Sequence, residues 1–113
     1  MPRKILITLL EEDVAPRFDL ATEVLVVELG KDGAPQDERV LILPQPSSEK
    51  LCQLILTEGI DVVICGGIEE EYYDYLSWKK LRVLDNIAGS SRSAIRAYVQ
   101  GSLDSGAILR PVE

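Results

Sequence analysis

Residues 60–67, Ile-Asp-Val-Val-Ile-Cys-Gly-Gly, constrain the fold more than any other part of the chain. A short apolar run rich in β-branched residues ends in two glycines. Such a run fits a strand in the middle of a parallel sheet, where both faces are covered. Glycines at its carboxyl end let the backbone turn sharply or approach another segment closely. In open α/β sheets, ligands bind at that end. The motif locates a candidate site without naming what fills it.

The rest of the chain supplies neighbours for this strand. Residues 3–10 read as a core strand and residues 11–19 as a polar loop containing Pro16. Residues 23–29 and 39–43 read as two strands joined through Gly30-Lys31-Asp32-Gly33, an antiparallel hairpin that Pro44 and Pro46 stop. Ser47 or Ser48 can cap a helix running to Glu58, with Leu51, Leu54 and Ile55 at helical spacing and Gly59 placed to end it. Residues 69–78 read as a second helix, with Glu69, Glu70 and Glu71 at its positive end and Lys79 and Lys80 at its negative end. Tyr72, Tyr75 and Leu76 share one of its faces. Residues 81–84 form a short strand. Gly89-Ser90-Ser91 opens a third helix with Ala94, Ile95, Tyr98 and Val99 inward, ended by Gly101. The tail, residues 102–113, is expected to pack Leu103, Ile108 and Leu109 onto the core. The order β-β-β-α-β-α-β-α implies an α/β fold with a five-stranded mixed sheet, parallel in one half. Residues 1–113 read as a single domain.

Composition narrows the function. The balance of 12 basic against 19 acidic residues gives a formal charge of −7, and Arg and Lys are scattered along the chain. An acidic surface repels nucleic acid and anionic membranes, so neither is expected as a partner. No apolar run approaches the roughly 20 residues of a membrane-spanning helix. The basic start, Met1-Pro2-Arg3-Lys4, leads into an apolar run that Glu11, Glu12 and Asp13 cut short, so a first strand and a cytoplasmic address are expected. The chain has no histidine, which excludes a Ser-His-Asp triad, an imidazole base and a histidine zinc site. Cys52 and Cys65 are spaced unlike a zinc finger and read as free thiols.

The element order resembles the dinitrogenase iron-molybdenum cofactor biosynthesis family. The resemblance is carried by Val14-Ala15-Pro16-Arg17-Phe18-Asp19 after the first strand, residues 61–67, and Ala94-Ile95 with Tyr98 and Gly101-Ser102-Leu103. It implies a three-layer, ribonuclease H-like fold and a small non-enzymatic protein that carries the cofactor, its precursors or an iron-sulfur cluster, alone or as a homodimer, for a cofactor-synthesis partner. Members commonly show His-Phe-Gly where this chain has Arg17-Phe18-Asp19. The histidine, a metal ligand by type, is replaced by a guanidinium that pairs with anions instead.

The candidate site follows from the strand ends, where the loops at residues 11–21, 66–69 and 86–92 are expected to form a mouth. Cys65, as thiolate, would be the metal ligand, since soft sulfur suits iron clusters, although a buried free Cys more often fills core space. Gly66 and Gly67 precede a helix, but Glu69, Glu70 and Glu71 would repel a phosphate there. Ser90, Ser91 and Arg92 bring amides, hydroxyls and a guanidinium to the start of the third helix, a better place for an anion. Arg17 and Asp19 are expected on the same rim. Two other readings remain open: an interaction module using the aromatic helix 69–78 with Trp78, and a metal-dependent hydrolase using Asp13 and Asp19.

Overall fold

A computed structural model describes residues 3–109 of the chain. The five long strands are β1 (Arg3–Leu10), β3 (Glu23–Leu29), β4 (Pro35–Ile42), β5 (Val62–Ile64) and β6 (Arg82–Leu84), lying side by side in the order β4-β3-β1-β5-β6. A two-residue strand, β2 (Asp13–Val14), folds back on the end of β1. β1 runs antiparallel to β3, and β3 to β4, whereas β1, β5 and β6 are parallel. The expected mixed sheet and its parallel half are therefore present.

Side chains alternate across this sheet and split the core into two layers. Leu6, Val24, Val26, Val63 and Val83 point to one face, where Leu51, Cys52 and Ile55 of α1 (Ser48–Thr57) and Leu76 of α2 (Glu70–Trp78) cover them. Ile5, Ile7, Leu25, Val27, Val62 and Ile64 point to the other face, against Ala94 and Ile95 of α3 (Ser91–Val99). β5 is buried on both sides, as its continuous apolar run requires. No described helix is long and apolar enough to cross a membrane.

Several expected boundaries move. The third strand starts at Pro35 rather than Arg39, because a polar edge strand needs no apolar alternation; Gln36, Asp37 and Glu38 are exposed. The loop expected at 11–19 contains β2 and a 3-10 turn at Phe18–Leu20. Near the end, β7 (Ala88–Gly89) and β8 (Ile108–Leu109) form a short parallel pair that only the tertiary fold creates. Leu103 is buried and Leu109 packs on the core as expected, but Ile108 is exposed on the alternate side of its strand. Val99, expected inward, is also exposed at the end of α3. The tail residues 110–113 lie outside the described residues.

All three helices close in the same hydrogen-bond pattern. After α1, Ile60 N–H reaches the Ile55 carbonyl (3.2 Å) and Gly59 N–H that of Leu56 (3.2 Å). After α2, Leu81 N–H reaches Leu76 (3.1 Å) and Lys80 N–H reaches Ser77 (3.0 Å). The motif needs a left-handed residue, normally glycine. Gly59 has φ +68°, whereas α2 places Lys80 there at φ 73°.

The rim at the carboxyl ends of the parallel strands is held by close backbone contact. Gly67 N–H donates to the Pro16 carbonyl (2.8 Å), and Phe18 N–H donates to the Gly67 carbonyl (2.8 Å). Phe18 is buried in the α1–α2 layer and anchors the segment. Gly66 sits so near this segment that a Cβ there would lie 2.3 Å from the Ala15 carbonyl oxygen and 2.4 Å from that of Pro16. The first glycine of the pair is thus used for close approach, and the second for its backbone hydrogen bonds.

Two stability tests follow. Gly66→Ala should cost about 2–3 kcal/mol by chemical denaturation, because backbone must move. Gly67→Ala, whose Cβ would meet Pro16 O at 3.5 Å, should stay within about 0.5 kcal/mol. Separately, Lys80→Gly should raise stability by about 0.5–1 kcal/mol and Gly59→Ala should lower it by about 1 kcal/mol, read as opposite shifts in Tm. Equal effects at Gly66 and Gly67, or shifts of the same sign at Lys80 and Gly59, would contradict these assignments.

Candidate functional site

Three segments meet at the rim. Backbone bridges join Asp13 to Ser90 and Arg17 to Gly67. Asn86 N–H donates to the Gly66 carbonyl (2.9 Å) and Ile87 N–H to that of Cys65 (3.0 Å). Ser91 donates both its N–H (3.0 Å) and its hydroxyl (2.6 Å) to the Glu12 carbonyl. Between these segments lies a cleft of about 340 Å³. Gly66, Gly67 and Gly89 line its walls with backbone, Leu10 and Pro16 give it apolar surface, and Asp13 and Asn86 bring polar side chains.

The backbones of the expected site residues converge more closely than their functional groups. Arg17 turns its guanidinium onto Asp19, with Nε donating to Oδ1 (3.0 Å) and Nη2 to Oδ2 (2.6 Å). That hydrogen bond holds the Asp19 carboxyl below the usual carboxylate range and raises Arg17 further. Their charges cancel locally, and neither side chain belongs to the cleft wall beside Gly67. Arg92 reaches away to Glu38 on the edge strand β4. Ser90 accepts from Ser93 N–H (3.2 Å) as the cap of α3, and the Ser91 hydroxyl is spent on Glu12. The first turn of α3 opens on a groove of about 490 Å³ whose wall includes Arg92, paired with Glu38, and the acids Glu11, Glu12 and Asp13. Carboxylates at that lip oppose the binding of an anion.

Cys65 follows Ile64 on the buried strand and shares the face of Val63, packed with Leu6, Phe18 and Leu76. It is fully buried, and desolvation, with a smaller contribution from Asp85, pushes its thiol up to about 12. Burial likewise pushes Cys52 on α1 up to about 11. Among the described residues, no three His, Cys, Asp or Glu side chains converge on a common point where they could hold a metal ion. With no histidine and a thiol kept neutral in the core, the donor set does not fit a metal cluster bound by protein ligands.

Sequence reasoning put Pro16, Ala88 and Gly89 in the mouth loops without singling them out, because the apolar and backbone part of the cleft carries no chemical signature, and it missed Leu10, which belongs to β1. Asn86 could have been found: Asp85-Asn86 is a turn signal, and Asn86 takes φ 56°. One polar oddity lies beneath the rim. Among the described residues the buried Thr8 hydroxyl has no hydrogen-bond partner; it lies one residue past Ile7 in β1, which pairs with Ile64.

The thiol assignments are open to a direct check. At pH 8 both cysteines should remain unreactive to a thiol reagent in the native protein and become fully reactive on denaturation. Rapid native labelling of Cys65 would place its sulfur at the surface and contradict the burial.

Comparison with known proteins gives this geometry its relatives. No protein of curated function matches by sequence. The crystal structure of the protein PH0822 superposes with a TM-score of 0.82 at 18% identity, covering 90% of this chain and 93% of that one. A candidate dinitrogenase from Methanocaldococcus jannaschii gives 0.74 at 21% identity, over 92% and 94% of the two chains. A candidate NifB protein from Thermotoga gives 0.73 at 16% identity, over 97% and 99%. At these identities the likeness concerns the fold alone. The sequence model described as dinitrogenase iron-molybdenum cofactor matches residues 3–101. The chain therefore belongs to the dinitrogenase iron-molybdenum cofactor family.

Proposed function

We propose that this chain is a small non-enzymatic binding protein whose seat is the rim cleft. In this reading the cofactor or its precursor is cargo, held without a protein sulfur or imidazole ligand. The observation that carries the proposal is the pinning of three segments around one cleft by the Asp13–Ser90 and Arg17–Gly67 bridges. A preformed cleft of about 340 Å³ suits a small ligand. Its groups are carriers of shape and hydrogen bonds, namely the Asn86 amide, the Asp13 carboxylate and glycine backbone, with no paired nucleophile and base among them. That inventory supports a binder over an enzyme. The hydrolase reading loses support because Asp19 is tied to Arg17 while Asp13 stands at the cleft.

The ribonuclease H-like reading of the fold rests on the strand order, in which an antiparallel trio continues through β1 into two parallel strands. A cytoplasmic protein, monomeric or dimeric, handing cargo to a synthesis partner is the setting this proposal implies. One observation favours the interaction reading as a second: Trp78 is 73% exposed, with Lys79 Nζ 5.0 Å from its ring centre. An exposed tryptophan of this kind is a common anchor for a partner protein.

Anaerobic titration with isolated iron-molybdenum cofactor, followed by gel filtration and metal analysis, tests the leading proposal. Wild type should retain iron and molybdenum saturably, and Cys65→Ser should retain them equally. Ala88→Trp, at an exposed position on the cleft wall, should weaken retention about tenfold or more. No retention by wild type, or selective loss in Cys65→Ser, would overturn it.

A further inference from the structure

The opposite end of the sheet carries a second cleft, of about 300 Å³, with a different character. Arg3 opens β1 and Arg82 opens β6, so both stand at the amino ends of the parallel strands. Both line this cleft, together with Tyr98 and Val99 of α3 and the largely buried Leu29 and Leu103. Arg3 Nη1 donates to the Tyr98 hydroxyl at 3.0 Å. Since that oxygen accepts from Arg3, its own proton is left to donate.

Among the described residues, neither arginine has a carboxylate within ion-pair distance; Arg17, Arg39 and Arg92 do. Arg96 is likewise without an ion pair among the described residues, but it does not line the cleft, so Arg3 and Arg82 are the two unpaired guanidinium groups brought to one place. Asp61 acts on Arg3 only at longer range, and its carboxylate accepts instead from the Lys4 amide (2.9 Å). The nearby end of α3 does not need the two arginines as caps either. Gly101 N–H already satisfies the Tyr98 carbonyl (2.9 Å), Ser102 N–H that of Ala97 (2.8 Å), and Gln100 N–H that of Arg96 (3.0 Å). Two planar forks of donors and a hydroxyl thus face one cleft without an internal acceptor of opposite charge.

We propose that this cleft binds a small oxyanion borne on an apolar body, such as an aryl or alkyl phosphate. Arg3 and Arg82 meet the anionic group, and the Tyr98 hydroxyl donates a further bond. The exposed Val99 and the half-buried Tyr98 ring provide surface for the body, over the buried Leu29 and Leu103. The site is separate from the rim, roughly 20 Å away along β1 by strand rise. Its success or failure is therefore independent of cargo binding there.

Calorimetric titration with phenyl phosphate and with inorganic phosphate at low salt is the test. Phenyl phosphate should bind saturably and several-fold more tightly than inorganic phosphate. Arg3→Gln and Arg82→Gln should each weaken it about tenfold or more. Lys50→Gln, an exposed change on α1, should leave it unchanged. All three changes lie on exposed side chains, so unaltered thermal melts should confirm folding. Absence of saturable binding, binding indifferent to both arginine changes, or an equal loss in Lys50→Gln would overturn the assignment.

Discussion

Two short hydrogen bonds organise the working end of this molecule. Gly67 donates to Pro16 and accepts from Phe18, each at 2.8 Å, so the segment after β1 is stitched to the segment after β5. The stitch is possible only because Gly66 has no side chain where the carbonyls of Ala15 and Pro16 come near. Phe18 then locks the segment by burying its ring beside α1 and α2, 6.5 Å from the Tyr72 ring centre. A larger residue at Gly66 would separate the loops, and the cleft walls would separate with them. The α3 side is joined independently, through Ser91 and the Glu12 carbonyl. The cleft is therefore a product of the backbone more than of any side chain.

This origin explains how the cleft can stand without a metal-ligating side chain of its own. A cleft built from carbonyls, amides and glycines does not depend on which side chain stands at position 17, because the bridge to Gly67 uses only main-chain atoms. The charged groups at the rim are consumed by neighbours: Arg17 by Asp19 and Arg92 by Glu38. What remains facing solvent there is acidic. The amino ends of the strands show the reverse, with Arg3 and Arg82 free of ion pairs among the described residues. Two unpaired arginines thus gather at the amino ends of the parallel strands, beside Asp61, in a chain that is acidic as a whole.

Much of the architecture was legible from residue pattern. The Ile5-Leu6-Ile7 run and the apolar stretch before Gly66 sort themselves onto two faces by simple alternation. Ser90 and Gly59 mark helix ends through local hydrogen bonds, and local rules find them. What escaped was set by distant parts of the chain. β4 begins early because its charged residues lie on an open edge, and the pairing of β7 with β8 exists only after the tail returns. The partners of Arg92 and Ser91 lie 54 and 79 residues away, beyond any local signal. The direction of Cys65 was within reach, since period-two alternation puts it with Val63 in the core. Its burial agrees with the core-filling reading that a free Cys more often deserves, and not with the metal-ligand reading that its place beside two glycines suggests.

Native-state amide hydrogen exchange tests the central claim, that main-chain bonds fix the rim before any ligand arrives. The Phe18, Gly67 and Ser91 amides should exchange nearly as slowly as amides in the middle of β1, since opening them requires disruption of the packed core. Exchange of these three amides at the rate of an unstructured loop would show a rim that is not preformed, and would contradict the account.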